Sequence, residues 1–149
     1  FIGSLETLLQ ERPLNLAEIY NISLGTANGM LHLHTAGIVH RDLAARNVLL
    51  RTGCNPVICD FGMSRSVESN AVRKTKTMFG PVAWMAPETF SLKYSTKSDV
   101  WSYGQVLYEM LSQGTPHKDE TDMMNLAAMI RDDGFTPTIP DHYPQPYVI

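Results

Sequence analysis

Apolar and small side chains recur at helical spacing near the start of the chain, between residues 14 and 36. Spacings of three and four residues bring side chains to one face of an α-helix. Gly37 follows the run, and glycine is common just after the last turn of a helix. The pattern predicts a long helix packed against a core. Its repeating positions are Leu16, Ile19, Tyr20, Ser23, Ala27, Met30, Leu31 and His34.

Shorter apolar runs follow this predicted helix. Residues 48–51 and 57–59 are β-like, and the segment between them contains Gly53 and Pro56, which favour a turn. We therefore predict a small hairpin there. No clear period covers residues 60–88.

Two further helices are predicted in the second half of the chain. Residues 100–111 are strongly apolar, and Ser98 and Asp99 before them are candidate N-terminal caps, which predicts a second buried helix. Residues 121–130 have an amphipathic pattern, and prolines interrupt the sequence soon after it. A third helix is therefore predicted at 121–130.

Composition narrows the class of protein. The 149 residues are 44% hydrophobic and 18% charged, which suits one ordinary globular domain or part of one. Twelve basic and 15 acidic residues are interspersed, so we expect no nucleic-acid partner. Cys54 and Cys59 are too few for a disulfide framework or a zinc site and favour a reducing, intracellular compartment. No apolar run reaches about 18 residues, so no transmembrane segment is predicted.

Three short motifs occur in a fixed order along the chain. They are His40-Arg41-Asp42-Leu43-Ala44-Ala45-Arg46-Asn47, then Asp60-Phe61-Gly62, then Ala86-Pro87-Glu88. Each triplet alone is typical of an ordinary turn, but their joint occurrence resembles the catalytic half of a eukaryotic protein kinase. The resemblance extends to residues 3–5, which look like the end of the hinge between lobes, and to residues 97–104, which look like the start of the central helix.

The resemblance implies a mainly α (α+β) fold, the large C-terminal lobe of a kinase. Helices would surround a central buried helix, and a small β-hairpin would carry the catalytic loop and Asp-Phe-Gly. Residues 1–149 would be a partial kinase domain that lacks the small N-terminal lobe and the C-terminal helices. The chain also begins at Phe1 rather than methionine, which we interpret as a piece of a longer protein.

The same resemblance assigns roles in phosphoryl transfer from ATP with Mg²⁺ as cofactor. Asp42 would be the catalytic base that orients the substrate hydroxyl. Asn47 and Asp60 would supply oxygen ligands to Mg²⁺, a hard cation. Arg46 would place a positive charge near the reacting groups, and Leu49 would line the floor of the adenine pocket.

Other residues would regulate or support the site. Arg41 is expected to bind a phosphate group carried by the activation loop, the segment between Asp60 and Glu88. Thr75 and Thr77 are the candidate phosphorylation sites in that segment. The remaining structural positions implied by the motifs are His40 packing under Phe61, Gly62, Glu88 and Asp99. Asp99 is expected to hydrogen-bond the backbone of the catalytic loop, whereas the arginine that pairs with Glu88 in the family is expected to lie outside the chain.

The acceptor hydroxyl is predicted from two segments that disagree. Ala44-Ala45-Arg46 is the tyrosine-kinase form of the loop, and Pro81, Val82 and Trp84 lie in a segment that resembles the substrate-binding wall of tyrosine kinases. Against this, residues 60–88 contain no tyrosine, and residues 77–80 resemble the tyrosine-kinase-like group, which mostly modifies serine and threonine. We favour tyrosine, with serine/threonine or dual specificity as the alternative.

Features of the small lobe are missing from the sequence. The chain has no G-x-G-x-x-G, and its first lysine is Lys74, beyond Asp-Phe-Gly. We therefore expect the chain alone to bind Mg-ATP poorly and to transfer no phosphate, with the parent's N-lobe as its required partner and a protein as its substrate. A pseudokinase-like interaction module or a truncated product with an interfering role are the alternatives. The expected location is the cytoplasm or the cytoplasmic side of a membrane.

Overall fold

The computed structural model describes residues 2–60, the backbone of the strand at 65–66, and residues 82–138. Four α-helices dominate this part of the chain, with short strands and 3-10 turns between them. The helices are α1 (Leu5–Glu11), α2 (Leu16–Thr35), α3 (Thr96–Ser112) and α4 (Met123–Asp133). The strands are β1 (Gly3–Ser4), β2 (Ile38–Val39), β3 (Val48–Arg51), β4 (Asn55–Ile58) and β5 (Arg65–Ser66). The predicted fold class, mainly helical with a small antiparallel hairpin, is confirmed.

The first helix, α1, was not predicted from the sequence. Ser4 caps it, its side chain accepting a hydrogen bond from the Thr7 N–H at 3.1 Å. Leu5 and Leu9 are buried and join the main core. A helix of only seven residues presents too few turns for its period to stand out in the sequence.

The long helix α2 confirms the first prediction, but only part of its predicted face is buried. A reciprocal cap begins the helix, because Asn15 accepts from the Glu18 N–H while the Glu18 carboxylate accepts from the Asn15 N–H, each at 3.0 Å. Gly37, with φ of +72°, follows its last turn as predicted. The fully buried positions are Ile22, Thr26 and Met30, whereas Leu16, Tyr20 and Leu31 are more than half exposed. The helix carries two apolar stripes, and the neighbouring hairpin covers only one of them.

The predicted hairpin is confirmed as β3 and β4, which pair antiparallel from Val48 opposite Ile58 to Arg51 opposite Asn55. Strand β1 lies on the other side of β3, so the sheet order is β1-β3-β4. Strand β2 pairs antiparallel with β5 in a second small sheet. The second hairpin strand begins two residues earlier than predicted, since Asn55 and Pro56 belong to it.

Two glycines let α2 approach the hairpin closely. A β-carbon at Gly25 would lie 2.5 Å from Pro56 Cγ, and one at Gly29 would lie 2.8 Å from Ile58 Cδ1. No real side chain tolerates such distances without movement of its neighbour. The hairpin therefore packs directly against the backbone of α2. This close contact sets the position of the hairpin relative to the core.

The buried helix α3 begins at Thr96, four residues before the predicted start. Ser95, rather than Ser98 or Asp99, is its N-cap: the Ser95 side chain accepts from the Lys97 N–H, and the Ser98 hydroxyl accepts from the Ser95 N–H. The predicted helix was too short at its start because the first turn of α3 is polar. Val106 and Met110 lie in the same core as α1 and α2.

Helix α4 and two 3-10 turns form a second, smaller core. The third predicted helix is confirmed, shifted to Met123–Asp133, with Asp122 as its cap and Gly134 just after it. Within residues 60–88, where no period was found, the described residues 82–88 lie mainly in the short turns Val82–Trp84 and Pro87–Ser91. Leu126 and Ile130 pack against Val82 and Ala83 of the first of these turns. No helix in the described ranges has both the length and the apolarity needed to cross a bilayer.

Candidate active site

The loop from His40 to Asn47 joins β2 to β3 and is anchored on α3 by a buried carboxylate. Asp99 is 1% exposed, and its two oxygens accept hydrogen bonds from the backbone N–H groups of His40 at 2.8 Å and Arg41 at 2.9 Å. Arg41 has φ of +73°, a left-handed conformation that is unusual for a side chain of this size. Two adjacent amides thus converge on one carboxylate, which holds the loop in a conformation that it would not adopt alone.

His34 on α2 donates to the same carboxylate, from Nε2 to Asp99 Oδ2 at 2.8 Å. His34 was predicted only as one of the repeating positions of the packed helix, and this contact was not predicted. The two residues are 65 positions apart in the sequence, and only the crossing of α2 and α3 brings them together. Asp99 therefore connects the loop to both long helices.

His40 is fully buried, and its imidazole ring forms hydrogen bonds both to the loop and to the residue that follows β4. Its Nδ1 accepts the Asp42 N–H at 3.3 Å, and its Nε2 donates to the Cys59 carbonyl at 3.0 Å. These two bonds define the tautomer with the proton on Nε2. The imidazole links the backbone of Asp42 to the residue that precedes Asp60, and its predicted contact with Phe61 lies outside the described residues.

Asp42 presents an oriented carboxylate at the centre of the loop, with its side chain 14% exposed. Arg46 donates from Nη2 to Oδ1 at 2.5 Å, and Asn47 donates from Nδ2 to Oδ2 at 3.0 Å. The Asn47 amide also donates to the Asp42 carbonyl at 2.6 Å. The 3-10 turn Ala45–Asn47 supplies both partners, so one turn of backbone fixes the carboxylate on both sides.

The hairpin brings Asn47 and Asp60 to the same end of the sheet. Val48 pairs with Ile58, and the Cys59 N–H donates to the Asn47 carbonyl at 2.9 Å. Asn47 is 5% exposed, whereas Asp60 is exposed and has φ of +61°. Within residues 2–60 and 82–138, His, Cys, Asp and Glu side chains form no group of three that would hold a metal on its own.

Trp84 connects the 3-10 turn Val82–Trp84 to the loop. The Arg46 guanidinium lies 5.0 Å from the centre of the Trp84 ring, in cation-π contact. The indole Nε1–H donates to Glu109 Oε2 at 2.9 Å, and the Trp84 carbonyl accepts from the Ser102 hydroxyl at 2.8 Å. Trp84 is thus held by α3 at both its ring and its backbone.

Glu109 is a buried carboxylate that the sequence analysis missed. It is 5% exposed, and burial raises its pKa to about 7, although hydrogen bonds from Trp84 and Ala45 and the Arg46 charge oppose this rise. A signal was present in the sequence: Asp99, Ser102 and Glu109 interrupt an apolar helix at spacings that share one face. Buried polar residues on one helix face indicate a partner that needs hydrogen bonds.

A small cleft opens between the loop and the two 3-10 turns. Arg41 and Asp42 line it from the loop, and Trp84 and Tyr94 from the opposite side. The Arg41 guanidinium lies 4.8 Å from the centre of the Tyr94 ring. The described structure therefore shows Arg41 beside an aromatic ring, and its predicted phosphate partners, Thr75 and Thr77, lie outside the described residues.

The remaining predicted site residues form no hydrogen bond or ion pair with Asp42 or lie outside the described part of the chain, and their burial differs. Val82 is 9% exposed and packs into the core with α4, so its side chain is mostly withdrawn from the surface. Leu49 is half-buried in β3, and Glu88 lies half-buried at the start of the turn Pro87–Ser91. Gly62 and Pro81 lie outside the described residues.

Comparison with known proteins gives the family. The family model for protein tyrosine and serine/threonine kinases matches residues 2–148. Human platelet-derived growth factor receptor beta is 46% identical over 118 residues, which cover 76% of this chain and 11% of the receptor. The dog mast/stem cell growth factor receptor Kit is 41% identical over 138 residues, which cover 90% of this chain and 14% of that receptor.

A serine/threonine-protein kinase, pakF of Dictyostelium discoideum, is 40% identical over 121 residues, covering 79% of this chain and 10% of pakF. The chain therefore belongs to the protein tyrosine and serine/threonine kinase family. It spans between about a tenth and a seventh of the length of these three relatives.

Proposed function

We propose that the protein containing this chain transfers the γ-phosphoryl group of ATP to a protein hydroxyl, preferentially that of tyrosine. The observation that carries the proposal is the Asp42 carboxylate, fixed by Arg46 on one oxygen and by Asn47 on the other. Phosphoryl transfer demands mainly alignment and charge neutralisation, so a rigidly held carboxylate beside a cation is what the reaction needs. Family membership supports the same reaction class.

In this mechanism Asp42 receives the hydrogen bond of the acceptor hydroxyl and takes its proton as the new oxygen–phosphorus bond forms, while the bond from the γ-phosphorus to its bridging oxygen breaks and ADP leaves. The anchored backbone of His40 and Arg41 keeps the carboxylate from turning away. Arg46 neutralises charge next to Asp42 and remains in place through its contact with the Trp84 ring. These residues orient the acceptor before any bond to phosphorus changes.

The residues at the end of the hairpin fit Mg²⁺ by their chemistry. The Asn47 amide nitrogen is used in its bonds to Asp42, so the amide oxygen is the atom suited to a cation. Asp60 offers a carboxylate, and both oxygen types are preferred by Mg²⁺. We infer that Asn47 and Asp60 hold the ion together with phosphate oxygens, and that bound Mg-ATP supplies the phosphoryl group and its charge neutralisation.

Tyrosine as the acceptor is supported by the surroundings of Asp42. The positive charge comes from Arg46, four residues after Asp42, and its guanidinium is flanked by the large Trp84 ring. This arrangement suits a long, flat phenol that approaches between the loop and the turn containing Trp84. Serine/threonine or dual specificity is the second candidate, favoured by the match to a serine/threonine-protein kinase.

We further propose that this chain supplies part of one kinase domain and that a small lobe elsewhere in the protein supplies most contacts to ATP. The chain by itself is then inactive. The protein would act in the cytoplasm or on the cytoplasmic side of a membrane. A pseudokinase-like interaction module is the alternative, but such a module has no physical need for Asp42, Asn47 and Asp60 together.

The test uses the full-length protein, Mg-ATP and three peptides that differ only in a central tyrosine, serine or threonine. Wild type is expected to phosphorylate the tyrosine peptide most rapidly. Because general-base groups contribute about 10²- to 10⁴-fold, Asp42→Asn should lower kcat by at least about 100-fold. Asp119→Asn, in an exposed turn remote from the loop, is the control and should retain wild-type activity.

Two results would contradict the proposal. Wild-type rates in Asp42→Asn would remove the assigned role of this carboxylate. Faster transfer to the serine or threonine peptide would replace the proposed tyrosine specificity by the second candidate.

A further inference from the structure

The α3 face that supports the loop has a second buried carboxylate far from Asp99. Asp99, Ser102 and Glu109 occupy one side of the helix, and each bonds a different part of the site. Asp99 holds the beginning of the loop. Glu109 lies about three turns farther along α3, where the loop ends and the turn containing Trp84 approaches.

One oxygen of Glu109 joins two segments that are distant in the sequence. Oε2 accepts the backbone N–H of Ala45 at 2.9 Å and the indole N–H of Trp84 at 2.9 Å. Ala45 is fully buried and Glu109 is 5% exposed, so water is largely excluded from these bonds. Burial increases the geometric control that these two hydrogen bonds exert on their donors.

Both segments influence Asp42 through Arg46, which forms a hydrogen bond with the Asp42 carboxylate. Ala45 precedes Arg46 in the 3-10 turn, so a shift of the Ala45 backbone moves the guanidinium that bonds Asp42. The Trp84 ring packs against the same guanidinium. A displacement of either Glu109 donor therefore changes the position of the Arg46 charge beside the Asp42 carboxylate.

We propose that Glu109 is a positioning residue that sets the separation between the catalytic loop and the turn containing Trp84, so that an acceptor hydroxyl reaches Asp42 in line for transfer. The proposal rests on the proposed function and deepens it, because it concerns how that site receives its substrate. Glu109 itself is buried, and within the described part of the chain its hydrogen bonds to the site are those to Ala45 and Trp84. The other charged groups near it are Arg46 on the loop and Glu6 on α1.

The test compares Glu109→Leu, Glu109→Gln and Trp84→Phe in the full-length protein, with Glu11→Gln at the exposed last position of α1 as the control. Leucine removes the acceptor and keeps most of the volume, whereas glutamine keeps an acceptor oxygen without the charge. Phenylalanine removes the indole donor but keeps a ring beside Arg46. Amide hydrogen exchange is measured for peptides covering residues 43–47 and 82–85, and kcat and KM are measured for peptide and ATP.

Glu109→Leu is expected to raise exchange at least tenfold in residues 43–47 and to raise it also in residues 82–85. Its kcat should fall by about 10- to 100-fold, as misplacement by about 1 Å does, with KM for ATP within about twofold of wild type. Glu109→Gln should recover most of kcat, and Trp84→Phe should raise exchange mainly in residues 82–85. A merely structural role predicts a loss of active protein without this division between kcat and KM.

Unchanged exchange in residues 43–47 of folded Glu109→Leu would overturn the proposal, as would wild-type kcat with raised exchange. Should Glu109→Leu not fold, the double variant of Glu109→Gln with Trp84→Phe decides: non-additive effects on kcat support the shared hydrogen bond, and additive effects overturn it. Should wild type transfer no phosphate to any peptide, the proposed function fails. The exchange data then still decide whether Glu109 holds both segments.

Discussion

The two long helices hold the candidate site in different ways. Helix α3 contacts the catalytic loop through buried polar groups, with Asp99 at one end and Glu109 at the other. Helix α2 contacts the hairpin mainly by shape, because Gly25 and Gly29 allow close packing of apolar side chains. The loop carries Asp42, whereas the hairpin sets the spacing of the proposed Mg²⁺ ligands.

The difference shows which interaction suits which task. A loop without regular backbone pairing has free N–H groups, and buried carboxylates satisfy them at defined positions. Hairpin strands already pair with each other, so the helix needs only to exclude water and fill space. The polar contacts therefore orient the loop, whereas the apolar contacts set the position of the hairpin relative to the core.

The largest expected effect is the loss of Asp99. Asp99→Ala leaves the N–H groups of His40 and Arg41 without their buried acceptor, and each orphaned group costs about 1–3 kcal/mol. Together with the lost bond from His34, this should lower the free energy of unfolding by about 3–5 kcal/mol. Urea unfolding measures it, with Asp119→Ala as the control. A loss below about 1 kcal/mol would mean that the α3 anchor is no more important than a surface contact.

The second prediction concerns the pH dependence of the Glu109 anchor. Burial raises its pKa to about 7 from the ordinary glutamate value of 4.5, so between these values the folded state binds more protons than the unfolded state. The stability contributed by this group therefore falls as pH rises from about 4.5 to about 7, by on the order of 3 kcal/mol, and stays low above that range.

Glu109→Gln cannot titrate at this position. The difference in unfolding free energy between wild type and Glu109→Gln should accordingly decrease with pH across that window, measured by urea unfolding at several pH values. A flat difference would show that the buried carboxylate does not carry the linkage.

The smallest expected effects test the apolar contact of α2. Gly25→Ala places a β-carbon against the rigid Pro56 ring and should cost about 1–3 kcal/mol, because overpacking forces the hairpin away from the helix. Gly104→Ala on α3 is the matched control. It meets nothing within 4 Å, so alanine there should stabilise the protein by about 0.5–1 kcal/mol. Equal effects at both positions, measured by thermal or urea unfolding, would contradict the close packing of α2 on the hairpin.

Sequence reasoning identified the elements better than their contacts. It found α2, the hairpin, α3 and α4, because each has a period or a turn signal of sufficient length. It missed α1, placed the cap of α3 too late, and chose Leu16, Tyr20 and Leu31 as buried positions that proved exposed. A helical period reveals an apolar stripe but does not reveal which neighbour covers it.

The candidate site shows the same difference between residues found from local sequence patterns and residues revealed only by tertiary contacts. The motifs around Asp42 and Asp60 were recognisable from local order, and they led to the kinase family that the comparisons confirm. His34, Ser102 and Glu109 were not assigned, although two of them lie on the same helix face as Asp99. Their partners are many residues away in the sequence, and their role exists only when the helices cross.

The amino-acid sequence was sufficient to identify the family, the mainly helical fold class and the order of the polar residues between His40 and Asn47. These follow from local residue types and spacings, which a linear pattern retains. Tertiary structure alone decided that one oxygen of Glu109 joins Ala45 to Trp84, and that α2 presents Ile22 rather than Leu16 to the core. Burial and hydrogen-bond geometry depend on which distant segments meet. The loop motif can therefore be recognised from the local sequence, whereas the position of the loop depends on how distant segments pack together.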